Sequence, residues 1–373
     1  MPRRDVPSRR EETAGPVVED RLGALPDEAL QHVLSFLPSD DAVQTCVLAR
    51  RWRNLWKSTP ALRIKEPKYR WENPEDMNEF VNHLLLFRDH SPLDICELDS
   101  YPYYTTDDER DKPFRYIQMW IRYALSHKVR VPRVFIYNEN GHFELDSAPL
   151  VSRHLTFLEL DSVELDERAL DFSTCPSLKA LKMTNCFIMA REISSQSLRH
   201  LIANNNFFSR RSRTLISAPS LVSLQLNEVG GRTPVLQSMP LLETALVELD
   251  EQCHDNCHLS SSGNCGHGSC EGCQCFPFGS DRRVLFRGLS NTTDLKLLAE
   301  PDVFIFKRDL TLCPTFSNLK TLLLGEWSVA VDLASVVCLL QHSPVLEMLT
   351  FRLFEEVEGG QNPAEQFAHL KTV

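Results

Sequence analysis

The sequence has no uncharged apolar run of about 18 residues, so no membrane-spanning helix and no membrane partner are expected. It has no basic surplus either: 40 Lys and Arg stand against 51 Asp and Glu, a net charge of −11. Contact with phosphates needs a cationic surface, so nucleic acid is not expected as a partner. The opening stretch MPRRDVPSRREETAGPVVED puts charges where a secretory signal would put its apolar segment, so export by that route is not expected. The same stretch has almost no large apolar side chains to offset ordering entropy, and residues 1–20 read as a disordered tail. Its pairs Arg3-Arg4 and Arg9-Arg10 are too short to define a nuclear import signal, which leaves an intracellular location, nucleus or cytoplasm. Catalytic signatures are missing as well: there is no GxSxG, P-loop, HExxH or GxGxxG ahead of a helix. No enzymatic activity and no cofactor are expected.

Cysteine is plentiful, with 12 in the chain. Without an export signal the default state is the free thiol. Six of them, Cys253, Cys257, Cys265, Cys270, Cys273 and Cys275, cluster with His254, His258 and His267. That set has enough soft donors for a tetrahedral zinc, yet only Cys270-x2-Cys273 has a familiar ligand spacing. The favoured reading is a metal-free, cysteine-rich loop at about 250–280, with a zinc-binding interaction module as the alternative.

Residues 22–57 read as three short helices. In DEALQHVLSFL, Leu30, Val33, Leu34 and Leu37 fall at i, i+3, i+4 and i+7, one stripe of a helix that Pro26 and Asp27 can begin and Pro38 ends. Ser39-Asp40-Asp41 offers capping oxygens to a second helix carrying Val43, Cys46 and Val47. ARRWRNLWK then sets Trp52, Leu55 and Trp56 at helical spacing. So short a trio cannot enclose all this apolar surface by itself.

Further along, the chain repeats. Leu178-Lys179-Ala180-Leu181-Lys182-Met183-Thr184-Asn185-Cys186-Phe187-Ile188 fills every apolar slot of the pattern L-x-x-L-x-L-x-x-N/C-x-L, and the next unit starts at Leu198. Looser units start at Leu93, Val131, Leu155, Leu221, Leu242, Thr292, Leu319 and Leu346, most of them separated by the roughly 20–29 residues of this repeat class. Pro176, Pro219, Pro240 and Pro344 each stand two residues before a first leucine, where a proline can open a strand. Alternation within each unit sends two apolar residues to one face of a strand, and stacking the units builds a parallel sheet with a shared core. The fold class expected is therefore α/β: a leucine-rich-repeat solenoid over 63–373, with helices or turns outside the sheet. Phe114, Ile117, Ile121, Ala124 and Leu125 fit one such helix, and Phe80, Leu84 and Leu85 another. The concave face would present Phe157, Glu159, Asp161, Lys182, Thr184, His200, Ile202, Asn204, Gln225, Asn227 and Arg352. The final Leu370-Lys371-Thr372-Val373 reads as the start of a further, incomplete repeat.

The stretch DRLGALPDEALQHVLSFLPSDDAVQTCVLARRWRNLWKSTPAL, residues 20–62, resembles an F-box, a domain placed at 21–62. It has the opening Leu25-Pro26-Asp27-Glu28, the apolar first helix and the late basic-aromatic run Val47–Trp56. An F-box followed by leucine-rich repeats is similar to the plant F-box/LRR family, many of whose members continue into a further C-terminal module. The resemblance implies a non-catalytic substrate receptor of an SCF-type ubiquitin ligase. Its F-box would dock on a Skp-type adaptor and through it a cullin, while the repeats hold a target protein of unknown identity. By the same pattern the adaptor contacts would be Leu25, Pro26, Leu30, Leu34, Leu37, Val43, Val47, Trp52 and Leu55, with Trp52 as hot spot. A non-degradative scaffold is the alternative.

Overall fold

The computed structural model describes residues 22–65, 74–101, 111–137, 142–145, 150–166, 168–255, 283–301, 303–329 and 333–353. The expected N-terminal tail, the cysteine-rich loop beyond Asp255 and the incomplete final repeat lie outside them.

The chain opens with helices α1 (Asp27–Leu34) and α2 (Ser39–Gln44), and a 3-10 stretch runs over Arg50–Ser58. A 3-10 helix stacks residues three apart, so Trp52 and Leu55 fall on one line and both turn inward. Ser39 does not act as a helix cap. Its Oγ accepts the backbone N–H of Arg63 at 2.9 Å, which ties α2 to the first strand.

Among the described residues, strands Ala61–Lys65, Ile95–Ser100, Val131–Ile136, Phe157–Asp161, Ala180–Thr184, His200–Asn204, Ser223–Gly231, Thr244–Cys253, Asp294–Leu298, Thr321–Leu324 and Met348–Phe351 form one parallel ladder. The first of these strands begins inside the stretch that resembles an F-box, so a boundary between 62 and 63 would cut a strand in two. The pairs Leu158/Leu160, Leu181/Met183, Leu201/Ala203, Leu224/Leu226 and Ala245/Val247 point inward and are at most 4% exposed. The leucines that open the repeats pack beneath them. One register needs correcting. Ile95 pairs with Val131, so Val129, fully buried, fills the slot equivalent to Leu93, and the repeat starts there rather than at Val131.

Helices α3 (Pro74–Phe87) and α4 (Asp111–Ser126) cover the outer side of the first coils, as their apolar spacing predicts. Among the described residues, the coils from Leu155 to Leu242 have no outer helix. A helix advances about 1.5 Å per residue and a strand about 3.3 Å, so coils of little more than 20 residues close by extended segments instead. These stack as two further parallel runs: Phe143–Leu145, Val163–Leu165, Phe187–Ile188 and Phe207–Phe208, and then Glu192–Ser194, Leu215–Ser217 and Val235–Leu236. The chain leaves the concave strand through a left-handed residue at Ser162, Asn185, Asn205 and Glu228, with φ between 50° and 58°.

Where the solenoid meets the cysteine-rich segment, two carboxylates sit in the interior. Asp255 and Arg213 are fully buried and joined by a bidentate pair, one arm of which is 2.9 Å. Arg213 also donates to the Thr233 carbonyl, and Thr233 N–H donates to Asp255, both at 2.9 Å. Burial alone would raise the Asp255 carboxyl. The Arg213 guanidinium outweighs it and holds the group below its usual range. Asp309 accepts the backbone N–H groups of Val284, Leu285 and Phe286 at 2.6 to 3.1 Å, which pins the chain where it returns.

Removing one member of such a pair strands the other in the interior, so Arg213→Met should cost about 3–5 kcal/mol in urea unfolding. Arg213→Met with Asp255→Leu should recover part of that loss. The pair's contribution is present above the unfolded carboxyl value of about 3.9 and is lost as pH falls through the lower folded one. A loss below about 1 kcal/mol in Arg213→Met would contradict the assignment.

Candidate functional site

Two surfaces are the candidate sites, and the first is the N-terminal helical unit. Its interior is Leu30, Leu34, Ala42, Trp52 and Leu55, with Leu25, Leu37 and Trp56 packed against it. Four of the expected adaptor contacts belong to this interior. Leu30, Leu34, Trp52 and Leu55 are 9% exposed or less, because three short helices need them to form any core, and none of the four is available as a surface anchor. Val43 is half-buried and packs, like Trp56, against the solenoid core. Val33 goes the other way. Helical spacing puts it in the apolar stripe, yet it is exposed, as are Phe36, Val47 and Leu48. Val47 is the most open of these at 83%.

Leu25 is half-buried and Pro26 exposed. Their position is fixed by Arg51, a residue that sequence reasoning noted only as one of several basic side chains. Its Nη1 donates to Gly23 O and its Nη2 to Leu25 O, each at 2.6 Å, and its Nε donates to Asp27 Oδ1 at 2.8 Å. One guanidinium clamps the whole Leu-Pro opening onto the start of α1. The unit as a whole is fastened to the repeats. Arg63 Nε donates to Ser35 O at 2.8 Å, and buried Arg88, in the turn after α3, donates to Thr59 Oγ1 and O at 3.0 and 2.7 Å.

The second surface is the concave face. Phe157, Glu159, Asp161, Lys182, Thr184, Ile202, Asn204 and Asn227 are half-buried along it, and His200 and Gln225 are more open. Arg352 is held there by Glu248 at 3.1 Å. The parallel register aligns Arg63, Glu97, Arg133, Glu159 and Lys182 in one row across five strands. Ion pairs join three of its four neighbouring positions: Arg63 with Glu97, Arg133 with Glu159 at 3.3 Å and Lys182 with Glu159 at 2.9 Å. Lys65 adds a second cation to Glu97 at 2.9 Å. Burial would raise the Glu97 carboxyl, but Lys65 and Arg63 together hold it below its ordinary value. The first three members of this row escaped the sequence reading. Alternation is visible in Ala61–Lys65 and Ile95–Ser100, but these stretches lack the full leucine pattern.

Beside the concave strands runs a groove of about 470 Å³ that the repeat pattern did not bring out. Tyr101 and Tyr137 stack at 4.8 Å at one end, and Phe187 and Phe207 lie 5.8 Å apart farther along. Asn185 donates to Asp161 at 3.1 Å and Asn205 to Asn185 at 2.6 Å, a polar rung across three coils. Asn206 is buried and holds the turn, accepting from Cys186 N at 2.7 Å and donating to Met183 O at 3.0 Å. Gly230 leaves room for the Phe207 ring, since a Cβ there would sit 2.9 Å from it. The signal was present in sequence as a recurring Asn-x-Phe at Asn185–Phe187 and Asn205–Phe207.

Of the possible zinc ligands in the cysteine cluster, Cys253 is removed. It faces inward, 2% exposed, with Thr233 Oγ1 at 3.8 Å. Burial pushes its thiol up to about 12, as it does those of Cys96 and Cys186, so all three are protonated near neutral pH. Cys257, Cys265, Cys270, Cys273 and Cys275 lie outside the described residues.

Comparison with known proteins agrees with this arrangement. Residues 22–63 match the F-box domain family. Similar proteins from Arabidopsis thaliana include an FBD-associated F-box protein, 27% identical over 63% of this chain and 57% of its own length. An F-box/FBD/LRR-repeat protein is 29% identical over 55% of this chain and 46% of its own length. F-box/LRR-repeat protein 13 is 32% identical over 44% and 35%. The matched part of the chain thus spans between about a third and three fifths of these relatives. No solved structure matches. The chain joins an F-box to a leucine-rich-repeat solenoid. Over part of its length the chain is thus similar to plant F-box/LRR-repeat and FBD-associated F-box proteins.

The division of the helical unit into interior and surface can be measured. Leu34→Ala should cost about 2–5 kcal/mol in chemical denaturation, whereas Val47→Ala should stay within about 0.5 kcal/mol of the parent. Equal effects would mean that the two residues are not sorted in this way.

Proposed function

We propose that this protein is a substrate-recognition subunit of an SCF-type ubiquitin ligase, acting in the nucleus or cytoplasm, its F-box docking on a Skp-type adaptor that leads to a cullin. One observation carries the reading: the helical unit keeps Val33, Phe36, Val47 and Leu48 in solvent after its own core is complete, beside a Leu25-Pro26 opening that Arg51 holds in place. Exposed apolar side chains on so small a unit are what a docking module presents. Leu25, Pro26, Leu37 and Val47 remain from the expected contact set, and Val33, Phe36 and Leu48 join them.

The repeats would hold the target on the concave face and along the neighbouring groove. The ion-paired row Arg63–Lys182 carries both signs of charge, which favours a partner with mixed polar contacts over a uniformly basic or acidic one. No residue of this chain need enter the chemistry. Holding a target beside a charged conjugating enzyme raises the effective concentration of its lysines, and this proximity replaces a catalytic group.

Leu25→Ala with Pro26→Ala should abolish co-purification of the adaptor while leaving the solenoid's unfolding transition intact. Arg51→Met should weaken adaptor binding by roughly 5–30-fold, the cost of about 1–2 kcal/mol of lost positioning bonds. Unchanged adaptor capture by the double variant would reject the docking assignment. Affinity purification under proteasome inhibition would recover adaptor and target together. A captured partner whose half-life does not lengthen when this protein is removed would point to a non-degradative scaffold.

A further inference from the structure

The outer side of the last described coils holds a second group of soft donors, remote in sequence from the cysteine cluster at 253–275. Cys338 and His342 stand four residues apart at the end of helix Ala334–Gln341, and Cys313 follows helix Ile305–Leu310 of the preceding coil. A ligand atom of each lies within 4.8 Å of the other two, and all three residues are half-buried. Cys338 Sγ is 3.8 Å from His342 Nδ1. A tetrahedral zinc with Zn–S of about 2.3 Å and Zn–N of about 2.0–2.1 Å needs S–N and S–S separations of about 3.6 and 3.8 Å. The observed S–N distance falls within a few tenths of an ångström of that. The four-residue spacing puts Cys338 and His342 on one face of a helix, and the neighbouring coil delivers the third donor.

We propose that Cys313, Cys338 and His342 form a site for one zinc ion, with solvent in the fourth position. Two thiolates and an imidazole are a donor set that selects zinc over the hard cations magnesium and calcium. On binding, both thiols release their protons to solvent, so two thiolates neutralise the dication and the imidazole binds as the neutral ring. His342 Nδ1 now lies 2.8 Å from the Cys338 carbonyl oxygen. Ligation through that nitrogen moves the ring proton to Nε2 and gives up the carbonyl bond. The half-buried setting leaves an approach for the ion and for water. The ion would staple two adjacent coils through their outer helices and leave the concave face untouched, so the proposal stands apart from the ligase reading.

The test uses cobalt as probe on the full chain, purified without a histidine tag, stripped with chelator and kept reduced. Titration with Co²⁺ should give the d–d bands of a tetrahedral site together with thiolate charge-transfer absorption. Cys338→Ser and His342→Gln should each weaken that binding by about 100-fold or more, since losing a direct ligand exceeds the 10–100-fold cost of losing an outer-shell partner. Replacing Cys257, Cys265, Cys270, Cys273 and Cys275 together by serine should leave the signal in place, and Zn²⁺ should displace the cobalt. The proposal is overturned if the signal survives in Cys338→Ser and His342→Gln, if it vanishes in the five-serine chain while circular dichroism shows the fold retained, or if the stripped wild type gives no tetrahedral spectrum. A Cys313–Cys338 disulfide mapped in the freshly isolated, unreduced protein would overturn it as well.

Discussion

Every coil of this protein has an apolar side that it cannot bury alone, and only a neighbour in matching register can cover it. The match is strict because strand side chains alternate with a period of two, so a slip of one residue would turn Leu181 and Met183 outward and Lys182 inward. The register is consequently kept from Ala61 against Ile95 to Thr321 against Met348, with shifts only after Leu226, where Ser223–Gly231 runs beside Thr244–Cys253. It tolerates interruption only where other forces take over. At the cysteine-rich segment, stacking gives way to a buried Arg213–Asp255 pair on one side and to Asp309 gripping three successive amides on the other. The strands on either side of that segment, Thr244–Cys253 and Asp294–Leu298, pair in parallel register.

The same register organises the surface. Because equivalent positions of successive strands lie side by side, charges a whole repeat apart in sequence become neighbours, and Arg63, Glu97, Arg133, Glu159 and Lys182 compensate one another along a line. The asparagines that leave each strand in the left-handed conformation meet in the same way, Asn205 on Asn185 and Asn185 on Asp161. What the concave side offers a partner is thus a product of repeat spacing, and no single repeat contains it.

How much of this was legible in the sequence depended on whether the signal was local. The solenoid, its concave strands and outer helices α3 and α4 follow from periodicity, because alternation and helical spacing act within one element. The expected positions from Phe157 to Asn227 lie on the concave strands for that reason. The misreadings came from relations between elements. Val131 looked like a first slot because hydrophobic residues occur on both sides of it, and only the pairing with Ile95 shows that Val129 holds the place. Trp52 looked like a docking anchor because large aromatics often are, but a unit with five core side chains had no other way to fill its centre. Val33 lies within the arithmetic stripe of α1 and yet faces water, since two helices of six to eight residues cover less than a full stripe. Arg51 could not be distinguished from Arg50 and Arg53 until its three acceptors were in view.

The helical unit and the first concave strand have no hinge between them. Ser35 and Ser39 bond to Arg63, Val43 and Trp56 pack into the solenoid core, and Arg88 reaches back to Thr59 from beyond α3. Anything bound in the curve of the sheet is therefore presented at a set bearing from the α1 end. The two parts make a bracket rather than a tether, and its length is measured in coils.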